Sequence, residues 1–176
     1  MEFTFTLKYQ LATREPDMDA LLECLADAGC DDALVGVGQS GRLALEFVRE
    51  AATAEIAVNS ALADVRSAVP TARLIEATPD LVGLTDVAEI TGVSRQNMRK
   101  LMVTHATSFP APVHEGSASI WHLADVLGWM TGHGSYSFAE GVLDVARVAM
   151  RVNVVKEYQR VHAAGCGIEA HACEPG

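Results

Sequence analysis

The chain has 176 residues, 49% of them apolar and 20% charged, with a formal net charge of −10, a composition typical of a folded globular protein. No apolar run approaches the roughly 18 residues of a membrane span, and the alternating N-terminus lacks the basic and apolar regions of a signal peptide. The four cysteines show no disulfide framework, so we expect a cytoplasmic protein without a membrane partner.

The first part of the chain, residues 1–78, mixes two kinds of periodicity. Alternation of apolar and polar residues predicts strands over 2–10, 33–37, 42–49 and 72–77. A helix is predicted to begin after Asp17 and to stop at Gly29. Thr53 is predicted to cap a second helix, which ends at Pro70. The order β-α-β-β-α-β predicts a ferredoxin-like domain, with helices on one face of a four-stranded antiparallel sheet. The chain as a whole is therefore expected to be of α+β class.

The segment 78–80, Thr-Pro-Asp, is predicted to link this domain to a second one. There, Thr85 is predicted to cap a short helix, and Gly92 to provide a left-handed turn after it. A second helix is predicted over 95–104, with Ser94 as its N-cap. Two short helices around a glycine turn are typical of a helix-turn-helix.

The outward side of the second predicted helix carries side chains of the kinds that read DNA. The inward side is predicted to hold Met98, Leu101 and Met102, which leaves Ser94, Arg95, Gln96, Asn97, Arg99 and Lys100 on the surface. Arginine can bind guanine through two hydrogen bonds, and glutamine or asparagine can bind adenine in the same way. Ser94 and the first backbone amides can hold a phosphate, and Lys100 suits a phosphate further along. The alternative is a solvated helix face that contacts no DNA.

A short β-hairpin, or wing, is predicted over 109–121, with its turn at 115–117. It offers His114 and Ser117 as candidate DNA contacts. A closing helix is predicted over 122–130, with apolar residues that pack back on the first two helices.

Residues 81–130 resemble the excisionase/AlpA branch of the MerR-like winged helix-turn-helix domains. The matching features are LTDVAEITGVS, then RQNMRKLM, then FPAPV, a hairpin that ends in tryptophan, and a short helix that ends in Trp-Met. The resemblance implies DNA binding by the second helix, with the wing touching the backbone or the minor groove. The wing is usually basic in that family, whereas here it reads His-Glu-Gly-Ser.

A glycine- and serine-rich break, TGHGSYS, is predicted before a last helix over about 138–161. Apolar residues surround almost the whole circumference of this helix, so we expect a partner helix from a second chain and therefore a homodimer. The predicted organisation is a ferredoxin-like domain over 1–78, a winged helix-turn-helix over 81–131, a dimerisation helix over 137–162 and a flexible tail over 163–176.

The negative charge is concentrated away from the predicted DNA-binding helix. Residues 1–80 carry 6 basic and 14 acidic side chains, whereas residues 81–130 carry 3 and 4. No acidic residue lies between Thr91 and His114, where all three basic residues of the second domain lie. This local excess is a modest footprint for phosphate contact, and it predicts weak non-specific DNA binding.

Two other motifs have simpler interpretations than the sites that they resemble. Residues 36–41 match G-x-G-x-x-G, but the alternating strand that follows favours a hairpin turn over a dinucleotide site. His162, Cys166, His171 and Cys173 include soft-metal ligands, but their irregular spacing favours a mobile tail over a metal site. No catalytic constellation is recognisable, so we expect a protein without enzymatic activity, cofactor or metal.

These patterns predict a sequence-specific DNA-binding protein, a bacterial transcriptional regulator that acts as a homodimer on double-stranded DNA. An excisionase-like architectural role and an antitoxin-like autorepressor are variants of this class. The N-terminal domain is expected to be a second oligomerisation surface or a small-ligand sensor. The alternative is a protein-interaction module, in which the acidic N-terminal domain binds a partner protein and the winged domain is a scaffold.

Overall fold

The structure, a computed structural model, describes residues 1–134 and 136–163 and is of mixed α+β class. Within these ranges the elements are β1 Glu2–Gln10, α1 Met18–Asp27, β2 Ala33–Gly36, β3 Arg42–Glu50, α2 Ala54–Ala68, β4 Arg73–Thr78, β5 Leu81–Val82, α3 Leu84–Thr91, α4 Arg95–Thr104, β6 Trp121–His122, α5 Leu123–His133 and α6 Val142–Ala163. None of these helices is both long enough and apolar enough to cross a membrane.

The N-terminal part of the chain forms a four-stranded sheet with the strand order β2-β3-β1-β4. Each pair of neighbouring strands is antiparallel, and β1 pairs with β3 along its full length. The predicted strands and helices of residues 1–78 are confirmed, because every strand end lies within one residue of its predicted position. The predicted cap Thr53 is confirmed, because its hydroxyl accepts a hydrogen bond from the backbone N–H of Ile56. Asp17 caps α1 in the same way, by accepting from the N–H of Ala20.

One face of this sheet is buried. Alternate residues of the strands supply the core, and they pack against the apolar sides of α1, α2 and α6: Phe3, Phe5, Leu7, Tyr9, Leu43, Leu45 and Phe47. Side chains on the other face are exposed or half-buried. Because only one face of the sheet is buried, apolar and polar residues alternate along each strand. This is why alternation in the sequence located the strands.

A charged side chain is buried beside this core. Arg49, which is 9% exposed, donates through Nε and Nη2 to both carboxylate oxygens of Asp32 and through Nη1 to Asp64. It also donates to Ser60 Oγ and to the carbonyl of Gly29. The hydrogen bond to Asp32 has the largest effect on the pKa of Arg49 and raises it, whereas burial lowers it. The guanidinium therefore ties β3 to α2 and to the end of α1.

The second core is built by α3, α4, α5 and the small sheet of β5 and β6. Two predicted boundaries are wrong here. Thr85 does not cap α3, because the N-cap is Gly83, whose N–H donates to Asp86 Oδ2 at 2.7 Å and places Thr85 inside the first turn. The closing helix does not end at Met130, because α5 runs to His133 and so includes the start of the predicted break. Its last turn is stabilised by His133, which donates to the carbonyl of Trp129 and stacks on its ring.

The predicted linker over 78–80 lies at the junction between the two cores, half-buried at Thr78 and Pro79 and buried at Asp80. Thr78 ends β4, and Asp80 is only 1% exposed. The Asp80 carboxylate accepts hydrogen bonds from His122 Nδ1 at 2.6 Å and from Asn153 Nδ2 at 2.7 Å. Asn153 also exchanges two hydrogen bonds with the backbone of Ala77. This Asp80 junction joins β4, β6 and α6.

The last helix lies between the two cores of its own chain. Val145, Val148 and Ala149 enter the first core, and Ala146 enters the second. We expected a second chain to cover this helix because it is apolar on most sides. That argument is wrong, because both domains of the same chain pack against the helix. Dimerisation itself stays a prediction. The helix begins at Val142 and not near Phe138, and most of the predicted tail, residues 164–176, lies outside the described residues.

Candidate nucleic-acid interface

The position of α4 is set by a three-residue connection from α3. Gly92 adopts the left-handed conformation with φ +68°, and its N–H donates to the carbonyl of Glu89. Ser94 then caps α4, because its Oγ accepts from the N–H of Asn97 at 3.2 Å. Both predictions are confirmed, and α4 has the predicted bounds. A glycine in this conformation reverses the chain without the steric penalty of a Cβ atom.

The inward side of α4 is anchored by methionine and leucine. Met98 is completely buried in the second core, with Leu101 and Met102 half-buried beside it, as predicted. This contact determines which side of the helix faces the solvent. A helix that is anchored in this way presents its outward side chains from a rigid backbone.

All six predicted contact residues of α4 and its cap are exposed: Ser94, Arg95, Gln96, Asn97, Arg99 and Lys100. Within residues 1–134 and 136–163, no carboxylate lies in ion-pair distance of Arg95, Arg99 or Lys100. By contrast, Lys8 and Arg49 of the first domain are engaged with acidic side chains. The three positive charges of α4 are therefore available to an anion outside the chain.

The N-terminus of α4 adds backbone donors to this surface. In any α-helix the first N–H groups have no partner within the helix. Ser94 satisfies the N–H of Asn97, which leaves the amides of Arg95 and Gln96 at the helix start. These amides point along the helix axis and suit a phosphate oxygen.

One residue of this face was missed by the sequence-based predictions. Val103 is 64% exposed and lies seven residues after Gln96, so it shares the outward side of α4 with Gln96, Arg99 and Lys100. The helical spacing alone could have placed Val103 on this face, but an apolar residue is normally assigned to the core. An exposed valine in a row of polar side chains suits contact with a methyl group.

The wing is smaller than predicted. Its hairpin is reduced to one antiparallel bridge between His114 and Ile120. The predicted second strand does not form as such, because Trp121 pairs with Val82 in the β5–β6 sheet. The loop is held at its base, where Trp121 Nε1 donates to the carbonyl of Pro110 at 3.0 Å.

The two predicted wing residues are both exposed. The imidazole of His114 lies against Gly116, where a Cβ atom would come within 2.7 Å of its Nε2. Ser117 follows on the same loop. The structure thus places six of the eight predicted contact residues on α4 and its cap, and the other two on a separate loop.

The remaining motifs have structural roles in the described part of the chain. Residues 36–41 form the turn between β2 and β3, with Gly41 at φ +73°, so the hairpin interpretation is confirmed. Trp121 is buried in the second core, where its ring contacts that of Phe109. Among the described residues, no three His, Cys, Asp or Glu side chains are grouped to hold a metal ion. Of the four histidine and cysteine residues considered in the tail, His162 lies within the described residues, whereas Cys166, His171 and Cys173 lie outside them.

No family model, no curated protein and no solved structure matches this chain. What the chain does must therefore be inferred from its own residues.

Proposed function

We propose that this chain binds double-stranded DNA in a sequence-dependent manner, with α4 in the major groove. The observation that carries the proposal is the outward face of α4, where unpaired cations and amide side chains stand on a helix that Met98 anchors in the core. We propose a regulator of transcription, of the bacterial type that the sequence resemblance implies.

The proposal includes a finer fold assignment for each part. For residues 81–133, support comes from the short helices α3 and α4 around Gly92, followed by a bridged loop and a closing helix. This order is that of a winged helix-turn-helix of the MerR-like kind. For residues 1–78, support for a ferredoxin-like domain comes from the β-α-β-β-α-β order and an antiparallel sheet with one covered face.

Each exposed side chain of α4 has a proposed role. Arg95, Gln96 and Arg99 read base edges, because arginine and glutamine match the donor and acceptor patterns of guanine and adenine. Lys100 binds a backbone phosphate, and Val103 contacts a thymine methyl group. Asn97 lies at the edge of this face.

The charge of the chain makes the proposal quantitative. The only lysine and arginine residues between Gly83 and Ile120 are the three of α4, and of these Lys100 is assigned to a backbone phosphate, so each chain neutralises between about one and three phosphates. The logarithm of the binding constant should then fall with the logarithm of salt concentration with a slope no steeper than about −3 for one chain and about −5 for two. Such a shallow slope means that specific contacts, and not bulk charge, must hold the site.

We propose that two chains bind together through the C-terminal half of α6. Val154, Val155 and Tyr158 are exposed there, and their spacing of one to four residues places them on one side of the helix. An isologous dimer through this patch would set the distance between two DNA half-sites.

The test is selection of bound duplexes from a random library, followed by fluorescence anisotropy with the selected duplex at several salt concentrations. The double variant Arg95→Ala/Arg99→Ala should bind at least about thirtyfold more weakly, because each bidentate contact contributes about 1–3 kcal/mol. The matched control is Arg14→Ala/Arg42→Ala, which removes the same charge from exposed positions of the first domain.

Wild-type protein that shows no salt-dependent binding, or a double variant that binds as the control does, would contradict DNA binding by α4. That outcome would favour the alternative, a module in which the acidic N-terminal domain binds a partner protein.

A further inference from the structure

A cavity of about 560 Å³ lies between the N-terminal domain and the last helix. Its walls come from α2, from β4 with the turn before it, and from α6, with Tyr9 of β1 also in the lining. This volume falls within the range of small-molecule sites, which is roughly 300–1,000 Å³. The cavity is remote in sequence from the outward face of α4 and takes no part in the proposed DNA contact.

The lining combines an apolar surface with an excess of positive charge. Leucine and valine side chains of α2, β4 and α6 supply the apolar part. Four of the lining side chains are cationic and one, Glu55, is acidic. This balance is the reverse of that in residues 1–80, where acidic side chains outnumber basic ones by 14 to 6. Cations collected in one place of an acidic domain indicate an anionic ligand.

Two of the four cations are not engaged within the described chain. Arg151 faces Glu55 at 4.0 Å, and Lys156 donates to the carbonyl of Ile75 and pairs with Glu157. Arg66 and Arg73 form no ion pair and no side-chain hydrogen bond with any described residue. Their guanidinium groups can therefore bind a carboxylate, for which their planar donors are well suited.

The floor of the cavity supplies a neutral donor. Tyr9 is 5% exposed and lines the cavity, yet no hydrogen bond to its hydroxyl occurs among residues 1–134 and 136–163. No buried side-chain atom in these ranges lacks a partner, so the hydroxyl reaches the open space of the cavity. Burial has the largest effect on the pKa of Tyr9 and raises it, and this outweighs the nearby positive charge of Arg66, which lowers it. The hydroxyl thus stays protonated and can donate to a ligand beside Arg66.

We propose that this cavity binds a small organic carboxylate with an apolar body, held by Arg66, Arg73 and the Tyr9 hydroxyl. The carboxylate lies between the two guanidinium groups, and the apolar body packs on the leucine and valine side chains. The site is separate from the outward face of α4, although Val155 of its lining also belongs to the proposed dimer patch. Because α6 forms one wall and also enters both cores, an occupied cavity stabilises the whole chain and not only the first domain.

The probe is octanoate, titrated into the full chain by isothermal calorimetry, with 1-octanol and acetate as matched controls. Octanoate should bind at one saturable site. Octanol lacks the charge and acetate lacks the apolar body, so each should bind at least about tenfold more weakly. Octanoate should also raise the melting temperature in a concentration-dependent manner.

Variants separate the proposed site from non-specific uptake. Arg66→Ala and Arg73→Ala should each weaken octanoate binding about tenfold and Tyr9→Phe several-fold, because each arginine supplies a positive charge and more than one donor whereas Tyr9 supplies a single hydrogen bond. Asn59→Trp, at an exposed position of the lining, should block the cavity without disturbing either core. Arg14→Ala is the control for charge and should bind as the wild type does.

Failure of octanoate to bind, equal binding of octanoate and octanol, or unchanged binding by both arginine variants would each overturn the proposal. None of these outcomes bears on the duplex measurements with α4 variants.

Discussion

Replacement of Asn153 by leucine tests whether the Asp80 junction holds the two cores together. Leucine keeps the number and the branching of the side-chain heavy atoms of asparagine but removes three hydrogen bonds. Two of these bonds join the Asn153 amide to the backbone of Ala77, each at 2.8 Å, and the third joins it to the Asp80 carboxylate at 2.7 Å. Asn153 is 7% exposed, so water cannot readily replace the lost partners.

The expected loss of unfolding free energy follows from these three bonds. A neutral hydrogen bond contributes about 0.5–1.5 kcal/mol and a bond to a charged group about 1.5–3 kcal/mol, so the sum is about 4 kcal/mol. For a chain of this size, 1 kcal/mol corresponds to about 2–4 °C. The melting temperature of Asn153→Leu should therefore fall by about 12 °C in differential scanning calorimetry.

The control is Asn59→Leu, the same substitution at an exposed position of α2, which should change stability by less than about 0.5 kcal/mol. A loss below about 1 kcal/mol for Asn153→Leu would refute the assigned role of the junction. A calorimetric trace in which only one of two separate transitions moves would refute the inference that α6 couples the cores.

The remaining predictions concern single sites in the two domains. Gly92→Ala should destabilise the chain by about 1 kcal/mol in urea unfolding, because a Cβ atom would meet open space and only the positive φ of Gly92 opposes it. An unchanged unfolding midpoint would contradict the left-handed conformation of Gly92. Arg49→Met should lower the free energy of unfolding by about 2–3 kcal/mol, less than for a fully buried pair, because it leaves the half-buried carboxylates of Asp32 and Asp64 without their cation. A neutral effect would mean that water replaces the guanidinium at both carboxylates. Burial, with Asp64, raises the pKa of the Cys30 thiol from 9.0 to about 11. Native protein at pH 8 should therefore be alkylated by iodoacetamide at exposed Cys24 and not at Cys30, as peptide mass spectrometry would show. The same shift should stabilise the fold below pH 9 and lose that effect as the pH rises to about 11.

Local patterns located most elements of the fold. The strands of the first domain were predictable because one side of the sheet is buried and the other is not, which produces strict alternation. The start of α4 was predictable because a serine cap acts within three residues of itself. The exposed candidates on α4 followed from the same helical spacing that placed Met98 inside.

The features that the sequence did not reveal depend on contacts between distant residues. Thr-Pro-Asp has the composition of an exposed linker, yet Asp80 is buried because Asn153, 73 residues later, donates to it. The strands β5 and β6 have two residues each, too few for any periodic pattern. The environment of α6 was misjudged because a helix that is apolar on most sides looks the same whether two domains or two chains cover it.

The position of α6 also affects how the chain folds during synthesis. Val145, Val148 and Ala149 complete the core of a domain that begins at residue 3, so the ribosome makes them only after nearly every residue that they contact. Until then the sides of the two cores that α6 covers have no partner within the chain. Domains of a nascent chain generally fold in order from the N-terminus. Here the first core is completed only after the second domain has been made, once residue 149 has emerged.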